Sequence, residues 1–233
     1  MRKRLLTAAL GLVMSGLGGT SVAHATFPRP TVDQLATIDP ASTCVRGEAR
    51  PSLAGTTPRL RAFVPAGENP PSVSVQFRMV DLASGQRVFT ASSPTMVTGV
   101  WFEPETPLPE LTSGRSYSWQ ARVFDGTTYS DWSRRCEFTV DIDRPNPPGL
   151  TVTPEGPYRV GQEITLQFSD GGSSDVVRYG YGFFGSETTS LPAGVTTAKL
   201  VLPFAGPIPL SAWSHDRAGN PSDATTVDLR ISQ

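Results

Sequence analysis

The sequence is short of the residues that usually do chemistry. Its 233 residues include two cysteines and two histidines. That leaves too few soft ligands for a zinc site and little material for an activated nucleophile. Lysine occurs only as Lys3 and Lys199, so nearly all basic charge is arginine, the bias of a GC-rich genome. Net charge is −1, and removing Arg2, Lys3 and Arg4 takes the remainder to −4. No basic excess exists to hold a phosphate backbone, which argues against a nucleic-acid partner. No apolar run approaches the ~20 residues of a membrane span. Glycine and proline are plentiful at 22 each, which favours short strands with many turns over long helices. Hydrophobic residues at 38% still suffice to fill a core.

Arg2, Lys3 and Arg4 form a basic start, Leu5 to Met14 a short apolar stretch, and Ala23-His24-Ala25 a small-x-small cleavage site. Residues 1–25 therefore read as a secretory signal peptide and not as a membrane anchor. No cysteine follows the cleavage site, no apolar tail closes the sequence, and Leu191-Pro192-Ala193-Gly194 is not a sortase-type signal. The expectation is a soluble extracellular protein with no membrane insertion after cleavage. Residues 26–43 carry repeated prolines and no period, and read as an irregular leader.

From Cys44 onward, strand patterns alternate with turns. Val73, Val75, Phe77 and Met79 alternate with Ser72, Ser74, Gln76 and Arg78, the period of a half-buried strand. Val97 to Phe102 reads as one further strand, ended by Pro104, Pro107 and Pro109. Tyr117, Trp119, Ala121 and Val123 alternate with Ser118, Gln120 and Arg122, then reach the hairpin signal Asp125-Gly126. The returning strand carries Trp132-Ser133 and Cys136-x-Phe138-x-Val140.

On these residues the stretch 44–142 resembles a fibronectin type III domain. Leu111, a glycine turn and Tyr117 resemble the tyrosine corner of immunoglobulin-like sandwiches, in which the hydroxyl bonds a nearby backbone group. The run from Tyr117 to Val140 is also similar to modules of large secreted actinobacterial proteins. The cysteines, in an exported chain, then read as a Cys44–Cys136 disulfide, because first and last strands of such sandwiches lie close. Two free thiols or half of a metal site are the alternatives.

Residues 143–148, with Pro145, Pro147 and Pro148, form a stiff linker. Beyond it, 149–233 carries strand patterns at Leu150–Val152, Gln162–Phe168, Val176–Phe183, Thr197–Phe204, Pro209–Ser214 and Ala224–Ser232. Leu210-x-Ala212-x-Ser214-x-Asp216 followed by Ala218-Gly219-Asn220 resembles the last hairpin of bacterial immunoglobulin-like repeats. The expected fold is thus all-β, two immunoglobulin-like β-sandwiches in tandem, fibronectin type III-like and then bacterial Ig-like.

Catalysis finds no constellation. Ser214, His215 and Asp216 are strand neighbours that point to alternate faces, so they do not make a triad by themselves, and His215 reads as an exposed strand-end residue. Glu103, Glu105 and Glu110 lie in a proline-rich connection with no cleft to hold an acid–base pair. Calcium at Asp141 and Asp143, joined by Asp125 or Asp216, is a weaker possibility, since calcium takes 6–8 oxygens. No other cofactor is implied. Tyr129 and Trp132, beside the hairpin turn, are the candidate binding residues; the structural alternative packs Trp132 on arginine stems such as Arg122 or Arg134. The function expected is a secreted, non-catalytic binding or spacer protein meeting an extracellular protein or a cell-wall glycan. The alternative is a carbohydrate-binding protein using exposed aromatics.

Overall fold

In a computed structural model, which describes residues 27–67 and 69–233, the chain forms two β-sandwiches in tandem. The signal peptide expected at 1–25 lies outside the described residues. The first sandwich contains β1 (Leu35–Ile38), β2 (Ser42–Thr43), β3 (Ser52–Leu53), β4 (Arg59–Val64), β5 (Ser72–Asp81), β6 (Arg87–Ser92), β7 (Met96–Val97), β8 (Val100–Phe102), β9 (Ser116–Phe124) and β10 (Cys136–Val140). One sheet runs β2-β1-β4-β8, the other β3-β10-β9-β5-β6, with β7 on the start of β5. The second sandwich contains β11 (Gly149–Thr153), β12 (Tyr158–Arg159), β13 (Glu163–Ser169), β14 (Arg178–Phe183), β15 (Thr189–Ser190), β16 (Thr197–Val201), β17 (Gly206–His215) and β18 (Thr225–Ser232). Its sheets run β11-β13-β16 and β12-β18-β17-β14-β15.

The two-residue period decides what is inside. On β5, Val73, Val75, Phe77, Met79 and Asp81 are buried and the residues between them are not. The four apolar ones face Leu35, Leu60, Ala62 and Phe102 from the opposite sheet in one core, which also holds Trp119 and Phe138. Each such large side chain contributes about 1.5–3 kcal/mol by leaving water. The second core gathers Ile164, Leu166, Phe168, Leu210 and Leu229. Both sandwiches share one device: an early strand pairs in parallel with the last strand, β3 with β10 and β12 with β18.

The irregular leader expected at 26–43 needs correction. Leu35–Ile38 is a strand, antiparallel to β4 with Leu35 opposite Ala62 and Ile38 opposite Arg59. Leu35 and Thr37 are buried, so the first sandwich begins near residue 35 and not at Cys44. Prolines on both sides hide the short alternation; one partner strand, β2, follows at once, and the other, β4, lies farther along the chain. The single strand expected at 97–102 is two, β7 on β5 and β8 on β4. The chain crosses between sheets at Gly99, whose φ of 91° only glycine adopts readily. β17 starts three residues earlier than its pattern suggests. Pro207 and Pro209 fit because there the strand pairs only with β18; pairing with β14 starts at Leu210.

The Tyr117 hydroxyl accepts a hydrogen bond from the Thr112 N–H at 3.1 Å, the corner that the sequence resembles. Cys44 and Cys136 form a disulfide across 92 residues of sequence. A loop of that length restricts the unfolded chain by about 4–5 kcal/mol in the chain-entropy model. Cys136→Ser is therefore expected to lower the melting transition of the first sandwich and leave that of the second unchanged. Calorimetry of the variant checks this; two reactive thiols in unreduced wild-type protein would contradict it.

Candidate functional site

The connection from β9 to β10 folds back along β9 and is tied to it by two serines. At Ala121 the strand N–H donates to the Ser133 hydroxyl at 3.0 Å and the strand carbonyl accepts the Ser133 N–H at 2.8 Å. At Val123 the same pair of bonds is made with Ser130, at 3.0 and 2.9 Å. Each hydroxyl then donates to the next carbonyl, Asp131 or Arg134. Both serines are buried, so a strand N–H that has lost its neighbouring strand stays satisfied. The turn before them is closed by Asp125, whose carboxylate accepts the N–H groups of Thr127 and Thr128. Those bonds, Thr128 first, hold its pKa below the ordinary carboxylate value.

This frame lays Tyr129 and Trp132 over the outer face of the sheet. The Arg122 guanidinium stands 3.8 Å from the Tyr129 ring centre and 4.4 Å from that of Trp132; Arg78 stands 4.0 Å from Trp132. Tyr129 also stacks on Phe124 at 4.4 Å. Glutamines on neighbouring strands fix the guanidinium planes. Arg78 donates through Nε and Nη2 to Gln120, and Arg122 through Nε to Gln76. Tyr129 is 43% exposed and Trp132 half-buried. Of the arginine stems expected under Trp132, Arg122 is there and Arg78 takes the place considered for Arg134. The signal for Arg78 was its outward phase on β5, but its meeting with Trp132 depends on the register Arg78–Gln120.

At the junction, Asp141 meets Asp175 and Asp216, their carboxylate oxygens within 4.8 Å of one another. Asp143, expected beside Asp141, is exposed and its carboxylate instead accepts from Ser113 at 3.4 Å. Asp125 is committed to its own turn. The Asn220 amide donates to the carbonyls of Asp141 and Asp143 and to the Asp216 carboxylate, at 2.8, 3.3 and 2.7 Å. An amide nitrogen thus sits among these oxygens. Burial, then the charge of Asp216, raises the Asp141 pKa above the ordinary carboxylate value; Asp175 and Asp143 add to this and the Asp143 N–H opposes it. The linker is bound here too. Arg144 donates to the carbonyls of Pro221 and Ser222 and to Asp223, and Asn146 bonds Ser173, Gly171 and Ser214.

His215 is buried, not exposed as its strand-end position suggests. Its Nε2 lies 2.9 Å from Glu187 and its Nδ1 3.2 Å from Arg178. Arginine can only donate, so Nδ1 accepts and Nε2–H donates. Glu187 reaches it by crossing Gly180, where a β-carbon would collide with the carboxylate. Ser214 donates to Asn146 and Asp216 accepts from Asn220, so the three consecutive residues bond to three different places. Sequence reasoning also passed over Phe184, which is 61% exposed at φ 56° and stacks on exposed Phe204.

No family model matches the sequence, and no curated protein does. Solved structures do. The fibronectin(III)-like modules of Clostridium thermocellum CbhA align over 85% of this chain and 94% of theirs, at 16% identity and a TM-score of 0.53. The FN1–FN3 domains of chicken CNTN1 align over 82% of this chain and 70% of theirs, at 12% identity and a TM-score of 0.48. The first likeness shows a fibronectin III-like fold.

The raised Asp141 pKa has a stability consequence. The folded state holds this proton more tightly than the unfolded chain. The associated stability is present in full below the unfolded carboxylate pKa, near 3.9, and is lost as pH rises through the folded value. Asp141→Asn should therefore raise the melting temperature at pH 7 and flatten its decline above pH 4. Melting curves from pH 3 to 8 test this; an equal or lower melting temperature at pH 7 would contradict it.

Proposed function

We propose that this chain is a secreted, non-catalytic binding and spacing protein that meets an extracellular protein or a cell-wall glycan. The observation that carries the reading is the stacked face of the first sandwich. Large aromatic and arginine side chains are the residue types that dominate binding energy at protein surfaces. Here they are held in place by glutamine and serine hydrogen bonds, so little side-chain entropy remains to be lost on binding. Fold likeness alone assigns no partner. Cleavage of residues 1–25 and an extracellular setting belong to this proposal; the disulfide supports it, because such bonds persist in oxidising compartments. Among the described residues, no helix is long and apolar enough to cross a membrane.

A second reading, carbohydrate binding by exposed aromatics, draws on Phe184 and Phe204. Their rings lie 6.0 Å apart and within 6° of parallel. A bulky residue at positive φ is strained, and such strain collects at functional positions.

The test is retention of the full chain on cell-wall, polysaccharide and secreted-protein fractions. Wild type should be retained by at least one. A folded Tyr129→Ala, Trp132→Ala variant should bind that fraction about tenfold more weakly, the loss of a modest interface anchor. Equal retention would move the contact elsewhere, and loss from Phe184→Ser instead would favour the second reading.

A further inference from the structure

The arginines of the first sandwich are distributed unevenly. Arg78, Arg87, Arg122 and Arg135 share one face, close enough that the other three, after burial, lower the Arg78 pKa. Among the described residues, none of the four forms a salt bridge. The nearby acids are engaged elsewhere. Asp81 accepts from Arg115 and from the N–H groups of Ala83 and Ser84, and Glu137 pairs with Arg50 and accepts the Gly47 N–H. Asp131 is exposed beside Trp132 and makes no salt bridge. Four arginines without a salt bridge, against the one free carboxylate of Asp131, leave this face with a local positive field on a chain of net charge −1.

Between Arg78 and Arg135 lies a groove of about 320 Å³, with Ser118 and Gln120 along it and Asp81, its charge paired with Arg115, at its wall. Arg87 and Arg135 are exposed, while Gln120 holds Arg78 by Nε and Nη2. A guanidinium fork matches carboxylate and sulfate geometry, with two parallel N–H donors to two oxygens.

We propose that this groove is a docking site for an acidic polysaccharide, with Arg78 and Arg135 contacting carboxylate or sulfate groups and Arg87, on the same face, adding to the positive field beside them. The inference rests on the reading of the chain as a binding protein and names the partner. Charge selects the ligand because the aromatic rings are already engaged: Trp132 carries two guanidinium groups, and Tyr129 lies against Arg122 and Phe124. A nucleic acid would need free ring faces for its bases or a longer basic track for its phosphates.

The experiment is calorimetric titration of the full chain with polygalacturonate, dextran sulfate, neutral dextran and duplex DNA, at 50 and 200 mM salt. Wild type is expected to bind one or both acidic polysaccharides, more weakly at the higher salt, and to ignore dextran. Arg87→Gln with Arg135→Gln replaces exposed residues outside the stacked ladder, and should weaken that binding at least about tenfold with an unchanged melting temperature. Arg217→Gln, exposed on the second sandwich, should change it less than about twofold. Three results would overturn the proposal: no binding to either acidic polymer, equal binding by the double variant, or DNA bound as tightly as the acidic polysaccharide. Retention on a secreted-protein fraction without binding to either acidic polymer would defeat this site and leave the binding-protein reading standing.

Discussion

A strand N–H that loses its neighbour must find another acceptor, and in this chain a serine hydroxyl supplies one four times. Val75 bonds Ser93, Ala121 bonds Ser133, Val123 bonds Ser130 and Ser214 bonds Ser222. In each case the serine N–H returns a bond to the carbonyl of the same strand residue. All four serines are buried, where an unmet N–H would cost about 1–3 kcal/mol. The hydroxyl lets an irregular segment run along a strand without leaving the strand's polar groups bare. What lies on those segments is then held in place.

The functional features of both sandwiches hang from these points. Ser130 and Ser133 bracket Asp131 and Trp132, so the indole is held over Arg78 and Arg122. Ser222 fixes the return of the 216–222 turn, which carries Asn220. From there the Asn220 amide reaches the Asp141 and Asp143 carbonyls, and Arg144 reaches back to Pro221 and Ser222. The same local chemistry therefore builds an aromatic and arginine face on one sandwich and a hydrogen-bonded linker at the edge of the other.

Much of this was legible in sequence where the information is local. The alternation of Val73 to Met79 and of Tyr117 to Val123 reads directly as strand, and the corner tyrosine and the cysteine pair followed from the resemblance to sandwich domains. What was missed depends on contacts across the chain. Leu35–Ile38 is a strand held between β2 and β4, and its pairing with β4 reaches across the chain. His215 is covered by Glu187, which crosses Gly180, and by Arg178 on the neighbouring strand. The stack of Trp132 on Arg78 follows from a cross-strand register that no local pattern states, and Asp141 finds Asp175 and Asp216 rather than its sequence neighbour Asp143. Tyr129 and Trp132 were visible as candidates; the arginines that engage their rings, and so turn the face from apolar to cationic, were not visible as partners.

The central claim is that the serine-latched frame is preformed and rigid. Native-state amide hydrogen exchange of the free protein tests it most directly. The Ala121 and Val123 amides, whose only acceptors across that edge are the Ser133 and Ser130 hydroxyls, should be protected to the same degree as the paired amides of β5 and β9, and Ser133→Ala should release Ala121 selectively. Exchange of both amides at the rate of an open loop in wild-type protein would contradict the account.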